Sequence, residues 1–186
     1  MGRVFVDTNV LFPFSIMDLM LALTEDAVHE VVWTEALLAE WERAIVREQQ
    51  RSPESTASIT AAIREYFADT QILEADYEKL VDAMPSEDPD DRRHIAAAVA
   101  GHVPVIVTWN HTDFPAGPLA ALGLRVADPD GYLCDLLDAV PDEVTGTVVR
   151  LAAEKRRPPK TPRDLANDLE RAGVVRFAAR LCELIR

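Results

Sequence analysis

Residues 88–114 read DPDDRRHIAAAVAGHVPVIVTWNHTDF and carry much of the information about the fold. The alanine-rich run at 90–100 has helical composition, and Gly101 closes it in the way that glycine commonly ends a helix. Pro104 then leads into the β-branched run 105–107, which is typical of a short buried strand. The stretch therefore predicts a helix that is followed at once by a strand.

The same alternation extends in both directions from this stretch. Further short apolar runs occur at 4–6, 31–33 and 124–126, and the segments between them repeat apolar residues every three or four positions. Thr34 is placed to cap the helix that follows 31–33, and Ser52-Pro53 begins another helix as its cap and first-turn proline. A short helix is expected over 76–83. Together these elements predict an α/β fold with a parallel sheet and flanking helices.

The strand pattern stops after residue 128. Asp128-Pro129-Asp130 caps a helix, and the pattern then stays helical to the end, with two last helices near 163–172 and 174–186 that Gly173 separates. We therefore predict two domains, a sheet-containing domain over residues 1–128 and an all-helical C-terminal extension over residues 129–186.

The composition places the chain among ordinary globular proteins. Of its 186 residues, 48% are hydrophobic and 27% are charged, which excludes a disordered or low-complexity chain. The two cysteines cannot form a disulfide framework and lack zinc-binding spacing, so a reducing cytoplasm fits best. The N-terminus has no secretory or myristoylation pattern, and no stretch approaches the roughly 18 apolar residues that span a membrane. We expect a soluble cytoplasmic protein that makes no membrane contact.

Acidic side chains occur where a parallel sheet would place a binding site. In such sheets ligands bind beyond the carboxyl ends of the strands. Asp7 follows the first strand directly, and Asp113 lies in the loop after 105–107. Asp91 begins the helix before that strand, and Glu40 lies on the helix that follows 31–33. Taken singly, each acid has an ordinary explanation as a helix cap or a surface ion pair. The combination is what points to a site.

The order and spacing of four segments resemble the successive motifs of PIN-domain ribonucleases. The likeness is strongest to the VapC-type toxins of bacterial toxin–antitoxin pairs, and it covers roughly residues 3–130. The segments that carry it are VFVDTNVL at 4–11, TEALLAE at 34–40, DDRRHIAAA at 90–98 and VTWNHTDFP at 107–115. The resemblance implies a PIN-like three-layer domain with a short central parallel sheet between helices. The helical extension departs from the shorter members of the family.

The resemblance also implies which residues form the site. Asp7, Glu40, Asp91 and Asp113 would be the catalytic acidic quartet, gathered in a pocket that binds Mg²⁺ or Mn²⁺. Hard divalent ions prefer oxygen ligands, so we assign Asp7 and Asp91 as direct metal ligands, with Asp113 completing the metal site or positioning water.

Some assignments stay open at this stage. Glu42 is an alternative to Glu40, and Asp88 or Asp90 could also contribute to the aspartate cluster. The family motifs further imply three supporting polar residues, which are Asn9, Thr108 and Asn110.

The implied function is that of a metal-dependent endoribonuclease, the toxin of a toxin–antitoxin pair, which inhibits translation by cleaving RNA. A bound ion would activate water and polarise the scissile phosphodiester. The implied partners are the RNA substrate, a cognate antitoxin that covers the acidic pocket, and a second copy of the chain in a homodimer.

Two alternative functions are weighed against this one. A Mg²⁺-dependent phosphatase of the haloacid-dehalogenase type also has an aspartate after its first strand, but it needs a second one where Asn9 stands. A non-catalytic PIN-like RNA-binding scaffold is the other alternative.

The histidines carry less information than the acids. His29, His94, His102 and His111 show no metal or triad spacing, and we interpret them as ordinary surface or partly buried residues, with His111 as the exception to watch.

The net charge of −13 would by itself disfavour nucleic acid as a partner. The charge is unevenly distributed, since residues 1–149 contain 9 basic and 27 acidic residues whereas 150–186 contain 10 and 5. This basic tail would supply phosphate contacts that the acidic domain lacks; the alternative is a solvated helix face. The candidate RNA contacts are Lys155, Arg156 and Arg157 in the tail, with Arg92 and Arg93 near the predicted pocket.

Overall fold

The computed structural model describes residues 2–48 and 51–185 of the chain. Its strands lie within two residues of the predicted positions and form a four-stranded parallel sheet. In chain order they are β1 Gly2–Val6, β2 His29–Val32, β3 Val105–Val107 and β4 Arg125–Ala127. Across the sheet the order is β2-β1-β3-β4. The predicted α/β class, with helices around the sheet and a helical C-terminal region, is confirmed.

Eleven α-helices and two 3₁₀ helices make up the rest of the regular structure in the described residues. The α-helices are α1 Thr8–Leu11, α2 Phe14–Glu25, α3 Glu35–Arg47, α4 Pro53–Tyr66, α5 Glu74–Tyr77, α6 Pro89–Ala100, α7 Ala116–Ala121, α8 Pro129–Ala139, α9 Pro141–Glu154, α10 Pro162–Arg171 and α11 Val175–Leu184.

Local capping explains where several helices begin. The side chains of Thr34, Ser52 and Asp128 each accept a hydrogen bond from a backbone N–H in the first turn of α3, α4 and α8. The helix predicted over 76–83 is wrong in detail, because α5 ends at Tyr77 and the chain continues as 3₁₀ turns over Glu78–Ala83. The first turn of α5 lacks a side-chain cap, and so short a segment readily tightens into 3₁₀ geometry.

The two central strands position the carboxyl edge of the sheet. β1 and β3 pair in parallel with Val4 opposite Val105 and Val6 opposite Val107, and Phe5 and Ile106 are completely buried. From β1 the chain continues to one neighbour, β2, and from β3 it continues to the opposite edge, β4. The carboxyl ends of β1 and β3 therefore flank the point where the strand order reverses, which is where open α/β sheets bind ligands.

The described residues divide into two compact units. The first, here called the sheet unit, comprises Arg3–Phe12 and Val31–Val126. The second, the helical unit, comprises Gly2, Pro13–Glu30 and residues 127–185. The predicted domain boundary at residue 128 stays a prediction. The helical unit also includes α2, which belongs by sequence position to the first predicted domain.

Polar contacts explain why α2 belongs with the helical unit. Arg150 on α9 forms ion pairs with Glu25 and Asp26, and Thr147 donates a hydrogen bond to Asp26 at 2.7 Å. These contacts lie at the C-terminal end of α2, where the positively charged Arg150 guanidinium also donates a hydrogen bond to the Ala22 carbonyl.

Two buried polar residues of the helical unit are fully partnered. Asp130 accepts hydrogen bonds from the backbone N–H groups of Arg176 and Phe177 and from the Arg176 guanidinium, so it caps the first turn of α11 from another helix. His29 places one ring nitrogen 2.8 Å from the Tyr132 hydroxyl and the other 2.8 Å from the Met20 carbonyl.

Within residues 2–48 and 51–185, no helix has both the length and the apolar character needed to cross a bilayer.

Candidate metal centre

Asp7 lies at the point where β1 ends. Its backbone N–H donates to the Val107 carbonyl at 3.0 Å, which continues the pairing of β1 with β3 by one step and holds the two strand exits together. Asp7 then occupies the N-cap position of α1 with an extended backbone, and its side chain makes no cap hydrogen bond to that helix. The carboxylate is therefore free of local capping while being 96% removed from solvent.

Two of the predicted supporting residues hold one oxygen of the Asp7 carboxylate. Oδ2 accepts a hydrogen bond from the Thr108 hydroxyl at 2.7 Å and another from the Asn9 amide at 2.6 Å. Asn9 in turn accepts from the Trp109 backbone N–H at 3.1 Å. Because Oδ2 is fixed in this way, Oδ1 is the oxygen that faces the remaining charged groups.

The third supporting residue, Asn110, connects Asp113 to the same network. Its amide donates to Asp113 Oδ2 at 2.6 Å, and its backbone N–H donates to the Thr108 hydroxyl at 2.9 Å. Asp113 is half-buried in the loop after β3. The loop thus fixes the orientation of Asp113 through a neighbour three residues earlier.

His94 lies among the acids, and its interpretation as an ordinary surface or partly buried histidine is wrong. It is 1% exposed, its Nε2 lies 3.3 Å from Glu40 Oε2, and its Nδ1 lies 3.7 Å from Asp7 Oδ1. Sequence reasoning missed it because no metal or triad spacing links it to another histidine. A usable signal was present, since residues three apart on a helix share a face and His94 is three residues after Asp91 on α6.

Mutual repulsion and burial shift the pKa values of the cluster. Burial first, and then the negative charge of Asp7, raise the pKa of Asp91 to about 7. Burial likewise raises the pKa of Glu40, although the nearby His94 opposes this rise. For His94 burial alone lowers the pKa, but the nearby carboxylates of Asp7, Glu40 and Asp91 outweigh it and raise the pKa overall.

Part of this cluster fits a divalent cation. Asp7, Asp91 and His94 each offer a ligand atom, and these atoms lie within 4.8 Å of one another. His94 Nδ1 is buried and has no hydrogen-bond partner among the described residues, so this nitrogen is available for a further ligand. Two carboxylates and one imidazole are a donor set that divalent ions accept. Asp113, assigned from the resemblance as a third ligand, lies outside this group of three.

The alternatives to the quartet occupy other positions. Glu42 Oε1 accepts a hydrogen bond from the Thr60 hydroxyl and lies 3.9 Å from Arg64 Nη1. Thr60 and Arg64 both belong to α4, so the contacts of Glu42 differ from those that Glu40 makes. Asp88 is the N-cap of α6 and accepts from the Asp90 N–H at 2.8 Å, while Asp90 itself is exposed.

The candidate RNA contacts differ in their surroundings. Arg93 is exposed on α6. The neighbouring Arg92 is half-buried, and its Nε has no hydrogen-bond partner in the described part of the chain. In the helical unit, Lys155 is engaged by Asp18, whereas Arg156 and Arg157 are exposed.

Comparison with known proteins agrees with the sheet and with the extension. A PIN domain family model matches residues 3–112, and a model of the VapC50 C-terminal domain matches residues 129–183. The chain is 33% identical over 104 residues to a Mycobacterium tuberculosis protein named "Putative ribonuclease VapC50", and the match covers 56% of this chain and 60% of that protein. No solved structure is significantly similar to the chain. Since the PIN model spans more than half of its length, the chain belongs to the PIN domain family.

Proposed function

We propose that this chain is an endoribonuclease that uses a divalent cation, Mg²⁺ or Mn²⁺, to hydrolyse phosphodiester bonds, and that it is the toxin of a toxin–antitoxin pair. The observation that carries the proposal is the cluster of Asp7, Glu40, Asp91 and His94 at the carboxyl ends of β1 and β3 in a PIN domain. Acids held this close repel one another unless a cation joins them, and such clusters are typical of functional sites.

Different residues of the cluster have different proposed roles in binding the cation and the attacking water. Asp7 and Asp91 hold the cation, and Asn9 and Thr108 orient Asp7 by binding its Oδ2 so that Oδ1 faces the centre. Asp113, oriented by Asn110, completes the site or positions the attacking water. An ion held there would polarise the phosphate and lower the pKa of a bound water.

The RNA and protein partners follow from the family and from charge. Arg92 and Arg93 lie next to Asp91 in sequence, and Arg156 and Arg157 are exposed cations of the basic tail, so these four residues are the proposed phosphate contacts. Lys155, paired with Asp18, contributes by exchanging that partner for a phosphate. The name of the M. tuberculosis relative supports the ribonuclease activity. A cognate antitoxin, a homodimer and a cytoplasmic location are further parts of the proposal.

The two alternative functions have less support. In a phosphatase of the haloacid-dehalogenase type, the position of Asn9 would hold an acid, but here an amide donates to Asp7 and accepts from Trp109. A non-catalytic scaffold has no need of a raised Asp91 pKa or of a buried, unpartnered His94 Nδ1.

The proposal is tested by incubating the purified full chain with structured RNA and following the cleavage products. We expect cleavage with Mg²⁺ or Mn²⁺, none with EDTA, and a loss of about 1000-fold or more in Asp91→Asn, because metal activation contributes several kcal/mol to the rate. Asp82→Asn, an exposed acid of the same unit, is the matched control and retains the rate. Cleavage that survives both EDTA and Asp91→Asn contradicts the proposal.

A further inference from the structure

The ring of His94 is held in one orientation by packing. It is 1% exposed, and its centroid lies 5.4 Å from that of Phe5, a completely buried residue of β1. A ring clamped against a central strand has little freedom to rotate, so the directions of its two nitrogens are set by the fold.

The two nitrogens of that ring face different surroundings. Nε2 lies 3.3 Å from Glu40 Oε2. Nδ1 is buried, lies 3.7 Å from Asp7 Oδ1, and has no hydrogen-bond partner within the part of the chain that the structure describes. A buried ring nitrogen without a partner costs stability, so its presence beside carboxylates calls for an additional ligand.

The pattern of a carboxylate, a histidine and an open lone pair is known from metal sites in general. A histidine that binds a metal through one nitrogen usually donates its other N–H to a carboxylate, which fixes the tautomer and the direction of the free lone pair. Glu40 is placed to accept that N–H from Nε2, so with a cation bound Nδ1 would be the unprotonated nitrogen, directed towards the acids.

Distances within the cluster suit a shared ion. Ligand atoms of Asp7, Asp91 and His94 lie within 4.8 Å of one another. Ligands of one small divalent ion lie about 3–4 Å apart, since each bond is about 2.1 Å long, so small side-chain movements suffice.

We propose that His94 Nδ1 is a nitrogen ligand of the divalent ion, that Glu40 is the residue that positions His94, and that the site consequently prefers Mn²⁺ to Mg²⁺. The inference rests on the proposed metal-dependent function and deepens it. Mg²⁺ strongly prefers oxygen ligands, whereas transition ions accept imidazole. Glu40, assigned to the catalytic quartet from the resemblance, thereby acts through His94.

Pulsed electron paramagnetic resonance tests this assignment on the full chain with Mn²⁺ as the probe. Bound Mn²⁺ is expected to show modulation from a directly coordinated ¹⁴N nucleus, and this modulation changes when the histidines carry ¹⁵N. It is lost in His94→Gln and retained in His111→Gln, the matched exposed histidine. The ratio of Mn²⁺ to Mg²⁺ affinity falls about tenfold or more in His94→Gln, which replaces nitrogen by an amide oxygen.

Glu40→Gln separates positioning from ligation. This variant keeps the nitrogen modulation but weakens Mn²⁺ binding by about 10- to 100-fold, the usual effect of removing the carboxylate behind a metal-bound histidine. If His94→Gln does not fold, the double variant His102→Asn/His111→Gln serves instead, because it removes both exposed histidines and is expected to retain the full modulation.

The outcomes distinguish this inference from the function on which it rests. Mn²⁺ that binds wild-type protein without nitrogen modulation overturns the role of His94 and leaves the metal-dependent function standing. Modulation that persists in a folded His94→Gln variant also overturns it. Wild-type protein that binds no Mn²⁺ overturns both.

Discussion

The ionisable groups inside the helical unit have hydrogen-bond partners that stabilise them, whereas the carboxylates inside the sheet unit lie beside further acids that destabilise their charge. In the helical unit, burial alone would raise the pKa of Asp130, but hydrogen bonds from Phe177 and Arg176 outweigh it and hold the pKa below its usual value. In the sheet unit, burial and the charge of Asp7 raise the pKa of Asp91 to about 7. The Asp130 carboxylate is stabilised as an anion by its hydrogen-bond donors, whereas the Asp91 carboxylate is destabilised as an anion by burial and by the charge of Asp7.

The buried histidines of the two units show the same difference. His29 has a partner at each ring nitrogen, and burial lowers its pKa to about 4, with the hydrogen bond to Met20 opposing the decrease. His94 has a carboxylate near each nitrogen and a raised pKa, and its Nδ1 has no hydrogen-bond partner in residues 2–48 and 51–185. Satisfied polar groups stabilise a fold, whereas unsatisfied clusters reduce stability and persist where a ligand is bound.

The largest effect that we expect is on the free energy of unfolding when acid protonates His29. Its folded-state pKa of about 4 lies below the ordinary value of 6.5, so its contribution to stability is complete above pH 6.5 and is lost as the pH falls towards 4. The free energy of unfolding should fall by up to about 3 kcal/mol over this range from His29 alone, since each pKa unit corresponds to about 1.4 kcal/mol.

The measurement is urea unfolding followed by circular dichroism at several pH values. Other groups titrate in the same range, so the quantity to compare is the difference between wild type and His29→Asn, which has no titrating ring. The control is His102→Asn at an exposed position whose positive φ of 51° suits asparagine. A pH dependence that is identical in wild type and His29→Asn would contradict the contrast between the two histidines.

A smaller effect is expected from Asp130. Asp130→Asn replaces one acceptor oxygen by an NH₂ group that faces the backbone N–H groups of α11, which leaves a buried donor without a partner. We expect a loss of about 2 kcal/mol in the free energy of unfolding, with RNA cleavage and metal binding retained. Asp138→Asn, which removes an exposed ion pair with Arg180, is the control and should change stability little. Equal losses in the free energy of unfolding for the two substitutions would contradict the claim that the hydrogen bonds of Asp130 stabilise the helical unit.

The smallest effect concerns the charges of the basic tail. Replacing Arg156 and Arg157 by Gln should weaken RNA binding and lower the slope of log affinity against log salt by about 1.5, because each phosphate contact contributes about 0.7 to 0.9. Filter binding at several salt concentrations measures the slope, and Arg47→Gln, an exposed arginine of the sheet unit, is the control. An unchanged slope would show that these exposed arginines belong to an ordinary solvated surface.

The features that sequence predicted well depend on neighbours along the chain. The strands and the caps at Thr34, Ser52 and Asp128 were predictable because β-branched runs and capping side chains act within a few residues. The acids at the strand exits were found from the rule that parallel strands end at a common edge and from the family motifs.

The features that sequence did not predict depend on contacts between distant segments. The family motif favoured Glu40 but left Glu42 open; the positions of α4 and α6 show that Glu42 contacts Thr60 while Glu40 contacts His94. In the same way, the cap that Asp130 provides for α11 joins residues more than forty positions apart. The grouping of α2 with the helical unit also follows from such contacts.

The central claim is that the cluster around Asp91 binds a divalent cation, and calorimetric titration with Mn²⁺ tests it most directly. Wild type, Asp130→Asn and Asp91→Asn are titrated under the same conditions after removal of metal. We predict saturable binding of equal affinity in wild type and Asp130→Asn, and an affinity at least about tenfold weaker in Asp91→Asn, since only that variant loses a ligand. Equal affinity in all three proteins, or no binding by any of them, would contradict the claim.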